Sequence, residues 1–188
     1  MHIFVKSNLD LALTAKDHLI DLYAVIEENR EHLTTYLSWV ENKTSLESLA
    51  SYIEESKIKY FAGTDISFVI FHDKKLVGRI GLHYINQHNK TGIIGYWLAK
   101  AAEGKGIMTA CCQKIIDYAF EHVGLERLEL KAATANQRSR AVAERLGFVH
   151  EGILRKAELV NGQFHDLALY AMIRDDWQQS KRDEIHAI

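Results

Sequence analysis

Proline is absent from this chain of 188 residues, and cysteine occurs only twice, at the adjacent positions Cys111 and Cys112. Adjacent cysteines rarely bridge, because a disulfide needs a specific Cβ geometry. The sequence therefore excludes a small disulfide-framework fold and favours a reducing compartment, the cytoplasm. No apolar run approaches the roughly 18 residues of a membrane-spanning helix. The first six residues also lack the basic-then-apolar order of a signal peptide, so no membrane association is predicted.

A strong charge of either sign is missing as well. The chain has 23 Lys and Arg residues against 25 Asp and Glu residues, for a formal net charge of −2. That balance argues against direct nucleic-acid binding through bulk charge. The composition, 47% hydrophobic and 26% charged, is typical of a globular protein. Because 188 residues is the length of one domain, we predict a single domain over residues 1–188.

The histidines show no metal-ligand spacing such as H-E-x-x-H, so no metal site is predicted. Surface or structural positions are expected for His83, His88, His122, His150 and His165. The two cysteines are expected to pack inside a buried helix.

The hydrophobic pattern predicts an α+β fold. Short turns between residues 66 and 98 indicate antiparallel neighbours, and Asn161-Gly162 predicts a closing hairpin. The predicted order begins with a strand at 2–6, a helical layer at 17–61 and three strands at 66–71, 76–84 and 93–98. A buried helix at 105–122, a strand at 127–133, a helix at 136–147 and a hairpin of strands at 154–160 and 163–173 follow. The result is a mostly antiparallel sheet with helices on its faces.

The most informative segment is a glycine loop between a strand and the buried helix, Glu103-Gly104-Lys105-Gly106-Ile107-Met108-Thr109. Two glycines at i and i+2 let the backbone approach a ligand closely. The helix start adds unpaired N–H groups and a positive dipole end, which together predict an anion site suited to a pyrophosphate. A Walker A loop is excluded because Gly106 is followed by Ile107 and Met108. A Rossmann fingerprint would need a third glycine where Thr109 stands.

Four motifs in this order resemble the GCN5-related N-acetyltransferases, the GNAT superfamily. The glycine loop is similar to the family's acetyl-CoA pyrophosphate loop, Q/R-x-x-G-x-G/A, with Glu103 at the first position. Gly95-Tyr96-Trp97-Leu98 resembles the strand before that loop. Asn136-Gln137-Arg138-Ser139 with Leu146-Gly147-Phe148 resembles the family's second helix. Asn161 to Asp166 resembles the closing hairpin of the RimJ/RimL ribosomal-protein acetyltransferase branch.

The resemblance implies a single-domain GNAT fold, with a mixed, mostly antiparallel sheet of six to seven strands and helices on both faces. It also implies acetyl-CoA as co-substrate, with its pantetheine arm inserted where the fourth and fifth strands separate. Backbone groups near Leu98 would hold the arm and polarise the thioester carbonyl. The cofactor-binding residues expected from the resemblance are Trp97, Leu98, Ala99, Glu103, Gly104, Lys105, Gly106, Ile107, Met108, Thr109, Asn136 and Ser139. Candidates for the 3′-phosphate are Lys100, Lys105, Arg138 and Arg140.

Two side chains are candidate catalytic acids for the departing thiolate. Ser139 lies about one turn into its helix, although it could instead cap that helix, as Asn136 does. Tyr170 lies in the last predicted strand and could instead be a core tyrosine. The base is not identified, because Ile93 stands where many relatives carry a glutamate. An α-amine, with a pKa of about 7.7–8.0, is partly neutral at pH 7, whereas a lysine at about 10.4 is not. The absence of the carboxylate therefore favours α-amine acceptors.

Several functions stay open at this point. An acetyltransferase for the N-terminal α-amine of a ribosomal protein is favoured, and the acidic excess of residues 17–61 would suit a basic acceptor. The alternatives are an acetyltransferase for a small amine, such as a polyamine or an aminoglycoside, and a non-catalytic acyl-CoA sensor. A nucleotide-binding oxidoreductase is supported only by Gly104-Lys105-Gly106. Trp39 could line an acceptor pocket or belong to the core, and exposed aromatic residues on the helices would allow a homodimer.

Overall fold

The computed structural model describes residues 1–40 and 45–186, and in this part of the chain eight strands form one sheet in the order β1-β2-β3-β4-β5-β6-β8-β7. The strands are β1 (His2–Lys6), β2 (Leu9–Leu13), β3 (Ile66–His72), β4 (Lys75–Asn86), β5 (Thr91–Leu98), β6 (Arg127–Ala133), β7 (Val149–Val160) and β8 (Gln163–Ile173). The α-helices are α1 (Leu19–Glu28), α2 (Arg30–Thr34), α3 (Leu46–Phe61), α4 (Ile107–Tyr118), α5 (Gln137–Arg145) and α6 (Arg174–His186). The predicted α+β class, with a mixed and mostly antiparallel sheet, is confirmed.

The sheet is larger than the six to seven strands expected. The additional strand is β2, which pairs with both β1 and β3. Its five residues are too few for a clear periodicity, yet Leu9 and Leu11 are fully buried. The predicted helical layer consists of α1, α2 and α3, and its residues 41–44 lie outside the described residues.

Each face of the sheet is covered by a different set of helices, as the alternation of side chains along a strand requires. On the face that we call the α4 face, Ile80, Leu82 and Ile94 pack with helix α4, including both of its buried cysteines. On the opposite face, the α1 face, Trp97 joins the buried side chains of α1 and α3. Consecutive residues of β5 therefore reach two different environments.

The parallel strands β5 and β6 pair over only part of their length. Their pairing runs from Thr91 with Arg127 to Ile94 with Leu130. Beyond that point β5 stays paired with β4 as far as Leu98, and β6 stays paired with β8 as far as Ala133. A gap therefore opens between the carboxyl ends of β5 and β6, which confirms the expected separation of two central strands. These are the fourth and fifth strands of the expectation, renumbered because β2 is present.

None of the helices in residues 1–40 and 45–186 is long and apolar enough to cross a membrane.

Candidate functional site

The glycine loop leads directly into helix α4. Gly104 and Gly106 have φ angles of 74° and 71°, a left-handed conformation that favours glycine. Gly106 occupies the N-cap position, and the first helical hydrogen bond of α4 runs from the Ala110 N–H to the Gly106 carbonyl. Within the described residues, the N–H groups of residues 105–109 have no hydrogen-bond acceptor. Because the side chains of Ile107 and Met108 are buried, the backbone is what this turn offers to a ligand. These features match an anion site at a helix N-terminus.

The carboxylate of Glu103, at the start of this loop, is contacted by nitrogen atoms of three side chains. Its Oε2 lies 3.1 Å from Lys100 Nζ and also accepts from the Arg138 guanidinium of α5. Its Oε1 lies 3.2 Å from His32 Nε2 of α2. The neighbouring Asn29 accepts the Lys100 backbone N–H at 2.8 Å. The corner between α1 and α2 is therefore attached to the glycine loop, a connection that the sequence analysis did not predict.

The four candidates for binding the 3′-phosphate differ in whether their side chains already contact other groups of the protein. Lys100 and Arg138 contact Glu103. Arg140 donates to the Tyr170 hydroxyl at 2.9 Å and to the Thr134 carbonyl at 3.2 Å. Lys105 is exposed, and no ion pair is found for it in the described part of the chain. Lys105 is consequently the candidate that is most available to a phosphate.

The end of β5 directs a backbone donor into the gap. The Ala99 N–H donates to the Val77 carbonyl at 2.7 Å, on the β4 side of the strand. Because successive N–H groups of a strand point to opposite edges, the Leu98 N–H points toward β6 and the gap. That is the position expected for a donor to the thioester carbonyl.

Ser139 lies in the first turn of α5, half-buried on the α4 face. Its backbone N–H is capped by Asn136 Oδ1 at 3.1 Å, which confirms Asn136 as the N-cap. The Ser139 Oγ atom instead lies 3.0 Å from the hydroxyl of Tyr96. Burial raises the pKa of Tyr96 well above its usual range, so that this hydroxyl stays protonated. The strand motif contains Tyr96, but the sequence does not indicate its contact with Ser139, 43 positions away.

Tyr170 occupies a different environment. It is 1% exposed, and its hydroxyl donates to Glu144 Oε1 at 2.9 Å while accepting from Arg140 Nε at 2.9 Å. The hydroxyl therefore donates its only proton within the protein, to Glu144. This arrangement favours a core position for Tyr170 over a proton donor to sulfur.

The two tryptophans of interest are adjacent. Trp97 is 7% exposed and belongs to the core of the α1 face, so only its backbone borders the gap. Trp39 is 42% exposed, and its ring centroid lies 6.4 Å from that of Trp97. The Trp39 ring therefore contacts the core through Trp97, while part of its surface remains exposed to solvent.

The comparisons with known proteins agree with this geometry. Residues 8–149 match the family model described as "Acetyltransferase (GNAT) domain". The chain belongs to the GNAT acetyltransferase family. It is 40% identical over 178 residues to YdaF of Bacillus subtilis (strain 168), an inferred ribosomal N-acetyltransferase, covering 94% of this chain and 97% of that protein. It is 34% identical to the ribosomal-protein-serine acetyltransferase of Escherichia coli (strain K12), covering 92% of this chain and 97% of that protein.

Solved structures of GNAT proteins superpose on almost the whole chain. The structure of RimL, a ribosomal L7/L12 alpha-N-protein acetyltransferase in complex with coenzyme A, has a TM-score of 0.90 and 30% identity, covering 94% of this chain and 99% of that one. This GNAT protein is an N-acetyltransferase, and its co-substrate is acetyl-CoA. The left-handed glycines, the unpaired N–H groups, the available lysine and the strand gap fit that molecule.

Proposed function

We propose that this GNAT enzyme acetylates the N-terminal α-amine of a ribosomal protein. The observation that carries the proposal is the similarity over nearly the full length to two proteins named for acetylating ribosomal proteins, combined with the open gap between β5 and β6. The preference for an α-amine over a lysine side chain rests on Ile93, which leaves β5 without a carboxylate at that position.

An acidic cleft beside the helical layer supports a basic acceptor. The cleft has a volume of about 710 Å³ and is lined by Glu27, Glu28, Arg30, Glu31, Thr34 and Asn161. Asn161 of the hairpin turn donates to the Thr34 carbonyl at 3.0 Å, which brings the hairpin next to α2. Three carboxylates against one guanidinium favour the positively charged segments that basic proteins carry.

In the proposed reaction, the neutral α-amine attacks the thioester carbonyl carbon, forming the C–N bond. The Leu98 N–H stabilises the negative charge that develops on the carbonyl oxygen. The C–S bond then breaks, and the thiolate receives a proton from the hydroxyl of Ser139, which is replenished from solvent through Tyr96. The amine loses one proton and CoA gains one, so the products are the acetylated amine and free CoA. Positioning supplies much of the rate enhancement.

The test is release of CoA thiol from acetyl-CoA at pH 7 with a matched set of acceptors. One peptide begins with a free serine and contains no lysine, and a second differs only in a blocked N-terminus. An N-blocked lysine peptide, spermidine and an aminoglycoside complete the panel. Turnover with the free-N-terminus peptide, with the acetyl group located on the α-amine by mass spectrometry, is the expected result.

The other outcomes separate the alternatives. Turnover with spermidine or the aminoglycoside alone would retain the transferase but reject the protein acceptor. Turnover that is faster with the lysine peptide would reject the preference for an α-amine. Acetyl-CoA binding without turnover on any acceptor would favour an acyl-CoA sensor.

The acidic cleft has its own test within the same assay. Glu28→Gln combined with Glu31→Gln should raise KM several-fold for a peptide with arginine residues after the N-terminal serine. The KM of an uncharged peptide should stay unchanged. Glu54→Gln, an exposed position on α3, is the matched control. An equal effect on both peptides would show that the cleft does not recognise charge.

We also propose that the enzyme forms a homodimer through its closing hairpin. Several apolar side chains of β7 and β8 are exposed, namely Val149, Ile153, Leu154, Leu159 and Phe164. Light scattering coupled to size exclusion should give twice the chain mass of 21.5 kDa, and Leu159→Asp with Phe164→Asp should give the monomer. A monomeric wild type would reject the dimer.

A further inference from the structure

His83 lies next to the position at which this chain lacks a carboxylate. It is on β4, and its register partner on β5 is Ile93. Directly opposed residues of an antiparallel pair project to the same face of a sheet. His83 therefore stands beside Ile93, on the α1 face.

The imidazole ring of His83 extends along the sheet toward the gap. A Cβ atom added to Gly81 would lie 3.1 Å from His83 Nε2, and one added to Gly95 would lie 3.0 Å from His83 Cδ2. Gly81 and Gly95 are register partners on neighbouring strands. Because neither has a side chain, the His83 ring can lie directly over their backbone. Gly95 is the first residue of β5 beyond its pairing with β6. The ring therefore lies over the point at which the gap opens.

Asp65 orients this ring. Its Oδ1 lies 2.8 Å from His83 Nδ1, and the two side chains are 19% and 27% exposed. Because a carboxylate accepts the Nδ1 proton, the remaining nitrogen, Nε2, carries the lone pair. Within the described residues Nε2 has no hydrogen-bond partner. An oriented imidazole with a free basic nitrogen is the arrangement that general-base catalysis uses.

The charged groups around the ring keep it neutral. Burial lowers the pKa of His83, and the cations Arg79 of β4 and Lys59 of α3 lower it further, while Asp65 acts in the opposite direction. Arg79 donates to Tyr52 and Ser67. A neutral imidazole at pH 7 can accept a proton.

The nearest alternative base on β6 is engaged elsewhere. Glu129 is the register partner of Ile93 on the other side. Its carboxylate lies 3.0 Å from the Arg127 guanidinium and 3.2 Å from Lys131 Nζ. Two cations therefore occupy the oxygen atoms that would have to accept a proton.

We propose that His83, oriented by Asp65, is the catalytic base that accepts the proton of the attacking amine, in place of the carboxylate that Ile93 excludes. This inference rests on the proposed acetyl transfer to an amine. The amine nitrogen forms the C–N bond to the acetyl carbon, and its surplus proton passes to His83 Nε2 and then to water. The thiolate is released toward Ser139 on the α4 face. Base and acid thus act from opposite faces of the sheet.

The test compares His83→Gln with His88→Gln, an exposed histidine of the turn between β4 and β5, using the best acceptor of the panel. We expect His83→Gln to lower kcat by about 10²-fold at pH 7, with an unchanged Kd for acetyl-CoA and an unchanged Tm. The fall of the wild-type kcat at acidic pH that protonation of His83 causes should be absent from His83→Gln, because the variant has no imidazole to protonate. Asp65→Asn should give a smaller loss, and His88→Gln none.

Three outcomes would contradict the role of His83. A kcat and pH profile of His83→Gln equal to those of the wild type would overturn the role of His83 while acetyl transfer stands. The same would follow if Glu129→Gln, or Glu158→Gln in β7, alone reproduced the loss. Burial raises the pKa of Glu158, which makes it the second carboxylate to test. A wild type that transfers acetyl to no acceptor would overturn the proposed function, and the role of His83 with it.

Discussion

The hydroxyl of Tyr96 on β5 lies 3.0 Å from the Oγ atom of Ser139 on α5. The two residues are 43 positions apart in the chain, and they meet on the α4 face of the sheet, beside the gap between β5 and β6. Because Asn136 caps α5, the Ser139 hydroxyl is not needed to end its own helix. The pair is thus a candidate proton path to the sulfur of CoA.

Removing either hydroxyl should slow the chemical step and leave cofactor binding intact. Ser139→Ala should lower kcat by about 10²-fold, the lower range for a general acid, and Tyr96→Phe should lower it less. Steady-state kinetics and calorimetric titration with acetyl-CoA measure the two effects separately. A Kd weakened by the same factor as kcat would assign Ser139 to binding rather than to proton transfer.

The predicted contact between Lys105 and the 3′-phosphate can be tested by changing the ligand. Lys105→Ala should weaken binding of CoA about three- to fivefold, the range for an exposed ion pair, and leave binding of 3′-dephospho-CoA unchanged. Lys57→Ala, an exposed lysine of α3, is the matched control. Equal losses for both ligands would place Lys105 at the pyrophosphate, and no loss for either would remove it from the site.

Tyr170 is predicted to matter for stability. Tyr170→Phe removes the buried hydroxyl that joins Arg140 and Glu144, and the net contribution of a protein hydrogen bond is about 0.5–1.5 kcal/mol. Urea unfolding should show that loss, with kcat within about twofold of the wild type. A lower kcat at unchanged stability would instead restore Tyr170 as a candidate acid.

The protein's own thiols should be silent in a thiol-release assay. Cys111 and Cys112 are fully buried, and burial raises the pKa of Cys111 to about 12. Because the thiolate is the reactive form, neither cysteine should react with a disulfide reagent at pH 7 on the timescale of the assay. Both should react in denaturant, which gives the control. Rapid labelling of the native protein would indicate that α4 opens locally.

The site could be predicted from the sequence wherever short-range rules govern it. The conformations of Gly104 and Gly106 and the Asn136 cap each depend on residues within a few positions. The hairpin turn at Asn161 and Gly162 has positive φ at both residues, as Asn-Gly predicts. These local features match the family motifs, and the family is the one that the sequence predicted.

The position of His83 was accessible from the same pattern. The short turn predicted between the strands at 76–84 and 93–98 brings His83 near Ile93, and the structure pairs them. The sequence predicts a surface or structural role for His83 because the histidines lack metal-ligand spacing. Its partner in the structure, Asp65, lies 18 residues away. Spacing rules for metal ligands do not detect such a pair.

What the sequence determined by itself is seven of the eight strands, the main helices before residue 174, the glycine turn and the family. These follow from hydrophobic periodicity, backbone conformation and local hydrogen bonds. The tertiary structure alone decided which side chains meet. It placed the Tyr96 hydroxyl beside Ser139, joined Asn29 to Lys100 across 71 positions of the chain, and placed the Tyr170 hydroxyl between Arg140 and Glu144. The physical reason is that such contacts depend on strand order and register. Neither can be derived from a short stretch of neighbouring residues in the sequence.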